Sequence, residues 1–202
     1  MNKTLICATV ASVLFATQAG ANIGAYAGLG YSYYGGTGED SGIDSNAFNF
    51  KLGTRFTDYL DGEVTTEFQD VNDYDFTKNQ LEVALVPHMA LPSVANGLGI
   101  YGRVGLGNNW LSGVVSENFT YGSIEPGVYY KFFGESNPSK VSLGYRYRNS
   151  FDTDNLVKYE TNSAMLGGEY AIDSHNSIVA NYTYAAGDED YNQFSVGYLA
   201  RF

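Results

Sequence analysis

The chain has 202 residues, a formal net charge of −11 at pH 7, and a composition rich in Gly (24 residues) and Tyr (18 residues). The acidic balance argues against nucleic acid as a partner, since phosphate binding needs a basic surface. The periodic Ala, Leu and Lys runs of a helical domain are scarce, which favours an all-β fold.

The first 21 residues have the pattern of a signal peptide that is cleaved on export. Lys3 supplies a positive charge, residues 5–16 an apolar core, and Ala19, Gly20 and Ala21 a small-residue cleavage site. The apolar run is shorter than the ~20 residues of a spanning helix, which argues against the alternative of a transmembrane anchor. We therefore predict a signal peptide over residues 1–21.

A single mature domain is predicted over residues 22–202, which is 181 residues (202 minus 21). Its net charge becomes −12, because Lys3 is removed. The only cysteine, Cys7, lies in the signal segment, so we expect no disulfide and no cysteine metal site in the mature protein. We also expect no cofactor.

Ten segments of the mature chain alternate apolar and polar residues and are separated by Gly, Asn, Asp and Ser clusters typical of turns. One residue face of each segment is free of charge, as contact with lipid requires. In chain order, the predicted outward residues are Ile23, Ala25, Ala27, Leu29, Tyr31 and Tyr33; Phe48, Phe50, Leu52, Thr54 and Phe56; Val64, Thr66 and Phe68; Leu81, Val83 and Leu85; Leu98, Ile100, Val104 and Leu106; Ile124, Val128, Tyr130 and Phe132; Val141, Leu143, Tyr145 and Tyr147; Ala164, Leu166 and Tyr170; Ile178, Ala180, Tyr182 and Tyr184; and Phe194, Val196, Tyr198, Ala200 and Phe202.

This pattern predicts a closed, antiparallel, up-and-down transmembrane β-barrel, because hydrocarbon tolerates no β-sheet with an open edge. Ten strands are favoured, with eight as the alternative. Predicted periplasmic turns are 57–61, 87–96, 134–139 and 172–176; predicted outer loops are 35–45, 70–77, 108–118, 149–159 and 187–190. Pro126 falls on an outward position and cannot donate a ladder hydrogen bond, so we expect a bulge or local break there.

The inward positions carry nearly all of the charge in the predicted strands. Six cations (Lys51, Arg55, Arg103, Lys131, Arg146 and Arg148) face five anions (Glu63, Glu67, Glu82, Glu125 and Glu169). One interpretation is a lumen filled by paired charges, since a barrel of about eight strands is only just wide enough for side chains. The other is a narrow channel for a small, anionic solute or oligosaccharide, with the five Arg and Lys residues of the second, fifth and seventh predicted strands as a ladder.

The acidic surplus falls in the predicted outer loops, at Glu39, Asp40, Asp44, Asp70, Asp73, Asp75, Glu117, Asp152, Asp154, Asp188, Glu189 and Asp190. We interpret these residues as a solvated rim, with divalent cations as potential partners because hard cations prefer oxygen ligands. We do not expect an enzyme. His88 and His175 both map to predicted periplasmic turns, and neither has a recognisable nucleophile placed beside it.

The last strand ends on an aromatic residue, with Phe194, Val196, Tyr198 and Phe202 on one face. This pattern resembles the C-terminal assembly signal of Gram-negative outer-membrane proteins. Segments 126–132 and 141–147 also resemble strands of the OmpA-type and Ail-type barrels grouped as porin-like proteins. The resemblance implies a non-enzymatic role in the Gram-negative outer membrane. It also implies outer-membrane lipid, lipopolysaccharide, periplasmic chaperones and the barrel-assembly machinery as partners.

Overall fold

Ten antiparallel strands close into a barrel in the computed structural model, which describes residues 24–38, 44–71, 76–113, 117–132, 139–151 and 159–202. The strands are β1 (Ala25–Gly36), β2 (Asp44–Thr57), β3 (Leu60–Val71), β4 (Phe76–Ala90), β5 (Leu98–Gly113), β6 (Asn118–Phe132), β7 (Ser139–Ser150), β8 (Glu160–Ala171), β9 (Asn176–Gly187) and β10 (Tyr191–Arg201). The prediction of ten strands is confirmed, and the eight-strand alternative is wrong. The predicted signal peptide lies outside the described residues.

Each strand pairs with its neighbours in sequence, and β1 closes the barrel by pairing with β10 over eleven residue pairs, from Tyr26 opposite Arg201 to Gly36 opposite Tyr191. We call the end that carries Ala25 and Arg201 the terminal end, and the opposite end the loop end. No helix of the described residues is long and apolar enough to cross a membrane.

The outer surface is apolar, as the alternation predicts. Leu29, Phe48, Leu106 and Leu143 are each more than half exposed, whereas the buried residues include Glu82, Arg103 and Glu125. Among the described strand residues, outward charges occur only within two residues of a strand end, at Asp44, Asp70 and Glu160. Exposed apolar side chains around a charged interior suit a barrel that is surrounded by lipid.

Two predicted outward residues are covered by their neighbours instead of being exposed. Thr54 is 1% exposed and pairs with Gly62, over which the Phe56 ring folds. The β2–β3 register shifts between Arg55 and Thr57, directly beside this contact. Val64 is 7% exposed because Leu52 and Val83 flank it on the adjacent strands.

The bulge or local break predicted at Pro126 takes the form of a break in the ladder, without a bulge. Pro126 pairs with Gly102 on one side, while on the other side the β6–β7 ladder runs from Ile124–Tyr147 to Gly127–Gly144 and omits the intervening pairs. The register is the same before and after the gap, since the sum of the paired numbers is unchanged. Proline therefore removes a ladder contact without adding an extra residue to the strand.

Several strands extend into predicted connections. The predicted turn 87–96 is shorter than expected: β4 runs to Ala90, and Pro87 pairs with Leu60 while the β4–β5 ladder skips it. The predicted loop 108–118 also belongs largely to strands, because β5 continues to Gly113. Asn109 in this stretch is 0% exposed, so the two asparagines that resemble a turn lie in the barrel wall.

Candidate functional site

The centre of the barrel holds a network of paired charges on five strands. Arg103 of β5 pairs with Glu82 of β4, and its Nε lies 3.3 Å from Glu63 Oε2 of β3. Lys51 of β2 lies 3.3 Å from Glu63 Oε1, and Arg148 of β7 lies 3.6 Å from Glu82 Oε2. We call these five residues, Lys51, Glu63, Glu82, Arg103 and Arg148, the central network.

Hydroxyl groups complete the hydrogen bonding of the central carboxylates. Tyr121 and Ser123 donate to Glu82 at 2.7 and 3.1 Å, and Tyr26 donates to Glu63 at 2.6 Å. Glu82 is 0% exposed, so these contacts replace all of its water. A buried charge is tolerated when it is paired and hydrogen-bonded in this way.

A second pair lies beside the central network. Arg146 Nη2 of β7 lies 2.5 Å from Glu125 Oε2 of β6, and Tyr101 donates to Glu125 Oε1 at 3.0 Å. Four of the five cations that could form an anion-selective ladder therefore contact buried glutamates: Lys51, Arg103, Arg146 and Arg148. The fifth, Arg55, lies 3.6 Å from Asp61 near the terminal end.

Aromatic side chains fill the lumen towards the loop end. Phe119, Tyr121 and Tyr159 are at most 3% exposed and form an aromatic cluster, against which Leu111 packs. The Arg148 guanidinium lies 5.4 Å from the centre of the Tyr121 ring, which joins the cluster to the central network through a cation–π contact. Glu67, the remaining predicted lumen acid of β3, accepts a hydrogen bond from Tyr34 at 2.6 Å.

The last hairpin contributes to this closure, contrary to its assignment as a solvated rim. Glu189 lies 2.6 Å from Lys78 Nζ of β4, and Lys78 in turn lies 5.5 Å from the Tyr159 ring centre. Lys78 is 9% exposed. One acidic residue of the predicted rim is thus paired with a buried cation, because the β9–β10 connection brings it to the barrel mouth.

The terminal end carries the remaining inward charges. Lys140 lies 3.3 Å from Glu169, and Arg201 pairs with the same carboxylate and donates to Ser177 at 2.7 Å. Lys131, a predicted lumen residue, lies 5.5 Å from the Tyr129 ring centre. Arg201 lies on the inward face of β10, two residues after Leu199.

Sequence reasoning missed several lumen residues that the structure brings together: Tyr26, Tyr101, Tyr121, Lys78, Lys140, Glu189 and Arg201. The alternation of strand residues could have identified Lys78, Lys140 and Arg201. Residues an even number of positions apart share a strand face, and Lys78 lies four residues before Glu82 and Lys140 six before Arg146. Tyrosines also occur on the outer surface, as at Tyr31 and Tyr145. The number of tyrosines in the sequence therefore does not show which face of the wall each one occupies.

Accessibility differs along the inner face of the strands from β8 to β1. Towards the loop end, inward residues such as Ser32, Thr161 and Ala185 are all 0% exposed. Towards the terminal end, inward residues such as Gly28 and Leu199 are partly exposed, whereas Ser177 is 0% exposed. The lumen is therefore filled towards the loop end and partly accessible to solvent towards the terminal end.

Both histidines lie near the terminal end of the barrel. His88 lies in β4, not in a turn, with Nε2 3.4 Å from Asp61 Oδ1. Ser174 Oγ lies 2.8 Å from His175 Nδ1, but the Asp173 carboxylate accepts from the backbone N–H groups of His175 and Asn176 at 2.7 and 2.8 Å. Hydrogen bonds from the Asn176 side chain and this backbone lower the pKa of Asp173. The carboxylate stabilises the turn and does not orient the imidazole.

The acidic loop residues form no recognisable metal site in the part of the chain that the structure describes. There, no group of three or more His, Cys, Asp or Glu side chains is placed to hold a metal ion. Six of the predicted rim residues, Glu39, Asp40, Asp73, Asp75, Asp152 and Asp154, lie outside the described residues.

The strands have apolar outer faces and enclose a core of ion pairs. This arrangement places the chain in the class of transmembrane β-barrels. The family described as the outer membrane protein beta-barrel domain matches residues 4–202, and the chain belongs to this family. The family places the barrel in the outer membrane of Gram-negative bacteria. Among curated proteins, none matches the chain in sequence.

Solved structures share the barrel architecture at low sequence identity. The β domain of the Bordetella autotransporter Brka is 11% identical, with a TM-score of 0.51 over 89% of this chain and 99% of that chain. An outer-membrane channel from Pseudomonas putida F1 is 11% identical, with a TM-score of 0.46 over 91% and 97%. The KdgM porin, solved with disordered oligogalacturonate, is 10% identical, with a TM-score of 0.41 over 89% and 99%. At 11% identity, the likeness to the Brka domain shows the fold alone.

Proposed function

We propose that this protein is a non-enzymatic outer-membrane barrel with a closed lumen, which acts in envelope structure or in contacts at the cell surface. The observation that carries the proposal is the environment of Glu82. Its carboxylate is 0% exposed and contacts two arginines, a tyrosine and a serine. A solute crossing the lumen would have to separate these charges inside the protein, which is strongly unfavourable.

The aromatic cluster supports the same conclusion at a second level of the lumen. Tyr121 and Tyr159 are 0% and 2% exposed, and the Lys78–Glu189 pair lies beside Tyr159. A transported solute would meet two barriers in series, one of rings and one of ion pairs. The paired state of the Arg and Lys residues also argues against the alternative of an anion-selective ladder, since their charges are already neutralised locally.

Export and assembly complete the proposal. The N-terminal segment acts as a cleaved signal peptide. Phe194, Val196, Tyr198 and Phe202 act as the C-terminal signal for periplasmic chaperones and the barrel-assembly machinery. The first three side chains lie exposed on the outer surface, where another protein could read them before insertion. Lipopolysaccharide contacts the outer surface, and divalent cations bind at the acidic loop end.

Swelling of liposomes that contain the refolded barrel tests the closed lumen. We expect the wild-type barrel to admit arabinose no faster than protein-free liposomes. The triple variant Glu82→Ala, Arg103→Ala, Arg148→Ala should swell faster, because it removes buried charges of both signs together and leaves Lys51 paired with Glu63. Equal, rapid swelling of wild type and triple variant would refute the closed lumen. Heat-modifiable gel migration of each preparation verifies that the barrel has folded.

A further inference from the structure

The terminal mouth of the lumen carries an excess of positive charge in a protein that is acidic overall. Arg55, Lys131, Lys140 and Arg201 each lie within two residues of the terminal end of their strands and face inward. We call these four residues the basic mouth. They are four of the eleven Lys and Arg residues of a chain whose net charge is −11. The acidic composition of the chain does not by itself explain why these four cations lie together.

Three cations of this mouth share two carboxylates among the described residues. Glu169 is shared by Lys140 and Arg201, and Asp61 is shared by Arg55 and His88. The nearby Asp173 carboxylate lies in the β8–β9 turn and is occupied by His175 and Asn176.

Strand register brings two of the cations directly together. Lys131 of β6 is the cross-strand partner of Lys140 of β7, so their side chains lie on the same face of the wall. Like charges directly opposite on neighbouring strands are destabilising. Lys131 is also within electrostatic range of Arg55 and Arg201, and Lys140 is within range of Arg201. The barrel thus maintains a repulsive arrangement at the end where its lumen is partly accessible to solvent.

The mouth is accessible to a ligand from solution. The side chains of Lys140 and Arg201 are 40% and 36% exposed, and that of Arg55 is 56% exposed. By contrast, the arginine side chains of the central network, Arg103 and Arg148, are 7% and 11% exposed. The basic mouth is therefore hydrated, whereas Arg103 and Arg148 are sealed; Lys51, at the edge of the central network, is 44% exposed.

We propose that the basic mouth is a binding site for a multivalent oxyanion of the phosphate class, which enters from the terminal side. The clustered cations attract a multiply charged phosphate group, and ammonium and guanidinium donors suit its oxygen atoms. The ligand bridges Lys131 and Lys140 and relieves their repulsion. The phosphate belongs either to a soluble ester or to a lipid headgroup. The site does not depend on whether the lumen conducts, because the aromatic cluster and central network lie farther inside.

Isothermal titration of the refolded barrel with inorganic pyrophosphate, in uncharged detergent, tests the site. We expect saturable binding that weakens as salt is added. The double variant Lys131→Gln, Lys140→Gln should bind at least roughly tenfold more weakly, since two charge-assisted hydrogen bonds are lost. The control is the single variant Lys78→Gln at the loop end. Its affinity for pyrophosphate should stay within about twofold of the wild-type value, because Lys78 is paired with Glu189 away from the mouth.

A stability measurement separates a binding role from a structural one. The denaturation midpoint of the ligand-free double variant should equal or exceed that of wild type, because a like-charge pair has been removed. Absence of wild-type binding, or equal binding by the double variant, would overturn the proposal.

Repeating the titration in nanodiscs identifies the source of the phosphate. If the ligand is a lipid headgroup, pyrophosphate binding should be lost in discs containing phosphatidic acid, a phosphomonoester, and retained in discs of phosphatidylcholine. If the ligand is soluble, both discs should bind it equally. Either result supports the site, whereas loss of binding in both discs would contradict it.

Discussion

The Tyr121 hydroxyl donates a hydrogen bond of 2.7 Å to Glu82 Oε2, and both side chains are 0% exposed. This contact joins the two features that fill the lumen, since Tyr121 belongs to the aromatic cluster and Glu82 to the central network. The residues are 39 positions apart in sequence and lie on β6 and β4. Their interaction therefore depends on the closed barrel and is absent from any isolated hairpin.

Replacing Glu82 by Gln should destabilise the barrel strongly. Arg103 and Arg148 would lose their shared carboxylate and remain close together in the interior. We expect the free energy of unfolding to fall by about 3–5 kcal/mol, the usual effect of breaking a buried ion pair. Urea unfolding in detergent micelles measures it. Glu160→Gln, at an exposed strand end, should change it by less than about 0.5 kcal/mol. Similar effects for both variants would contradict the buried network.

Gly107 should not tolerate alanine. A Cβ atom there would lie 2.2 Å from Tyr121 Cζ and 2.3 Å from its hydroxyl oxygen, so the ring would have to move away from Glu82. We expect a loss of about 1–3 kcal/mol, as for other overpacked interiors. Gly168→Ala is the matched control, because the nearest atom to its Cβ would be 3.8 Å away. The unfolding free energies of the two variants should differ clearly; equality would show that Tyr121 is not fixed in place.

The Lys78–Glu189 pair should show strong energetic coupling. Lys78 Nζ lies 2.6 Å from Glu189, and the lysine side chain is 11% exposed. A double-mutant cycle with Lys78→Gln and Glu189→Gln should give a coupling in the range of about 0.5–3 kcal/mol. Arg55 and Asp61, 3.6 Å apart with Arg55 56% exposed, supply the comparison, whose coupling should be below about 1 kcal/mol. A weaker coupling for the loop-end pair would contradict its role in closing the lumen.

Asp173 should titrate below its ordinary value. Hydrogen bonds from Asn176 and from the His175 backbone hold its pKa below 3.8. Because the folded-state pKa is lowered, these bonds stabilise the fold above the unfolded-state pKa of about 3.9, and that stabilisation is lost as the pH falls through the folded value. Carboxyl ¹³C NMR measures the titration. The midpoint should rise in Asn176→Ala and stay unchanged in Ser174→Ala, whose hydroxyl contacts His175. A wild-type midpoint at or above 3.8 would contradict this account.

The fold could be predicted from the sequence because strand alternation is a local signal. Leu29, Phe48 and Leu143 lie on the outer face as their residue parity requires, and ten such segments give the strand number. Strand ends were harder to predict. Pro87 and the Asn108–Asn109 pair have the composition of turns, yet they lie within strands because neighbouring strands supply pairing on at least one side.

The interior pairing could not be predicted, because partners across the lumen are distant in sequence. Arg103 lies 40 positions from Glu63, and Lys78 lies 111 from Glu189. Alternation indicates that such side chains face inward, but it contains no information on which of them meet. That choice depends on how the strands are staggered around the barrel.

The single-channel current of the refolded wild-type barrel in a planar lipid bilayer tests the closed lumen most directly. We predict no reproducible conductance steps above the protein-free baseline, because the central network and the aromatic cluster fill the lumen. Regular steps in wild type whose ion selectivity changes when Arg146 and Arg148 are neutralised would contradict the account and establish a channel.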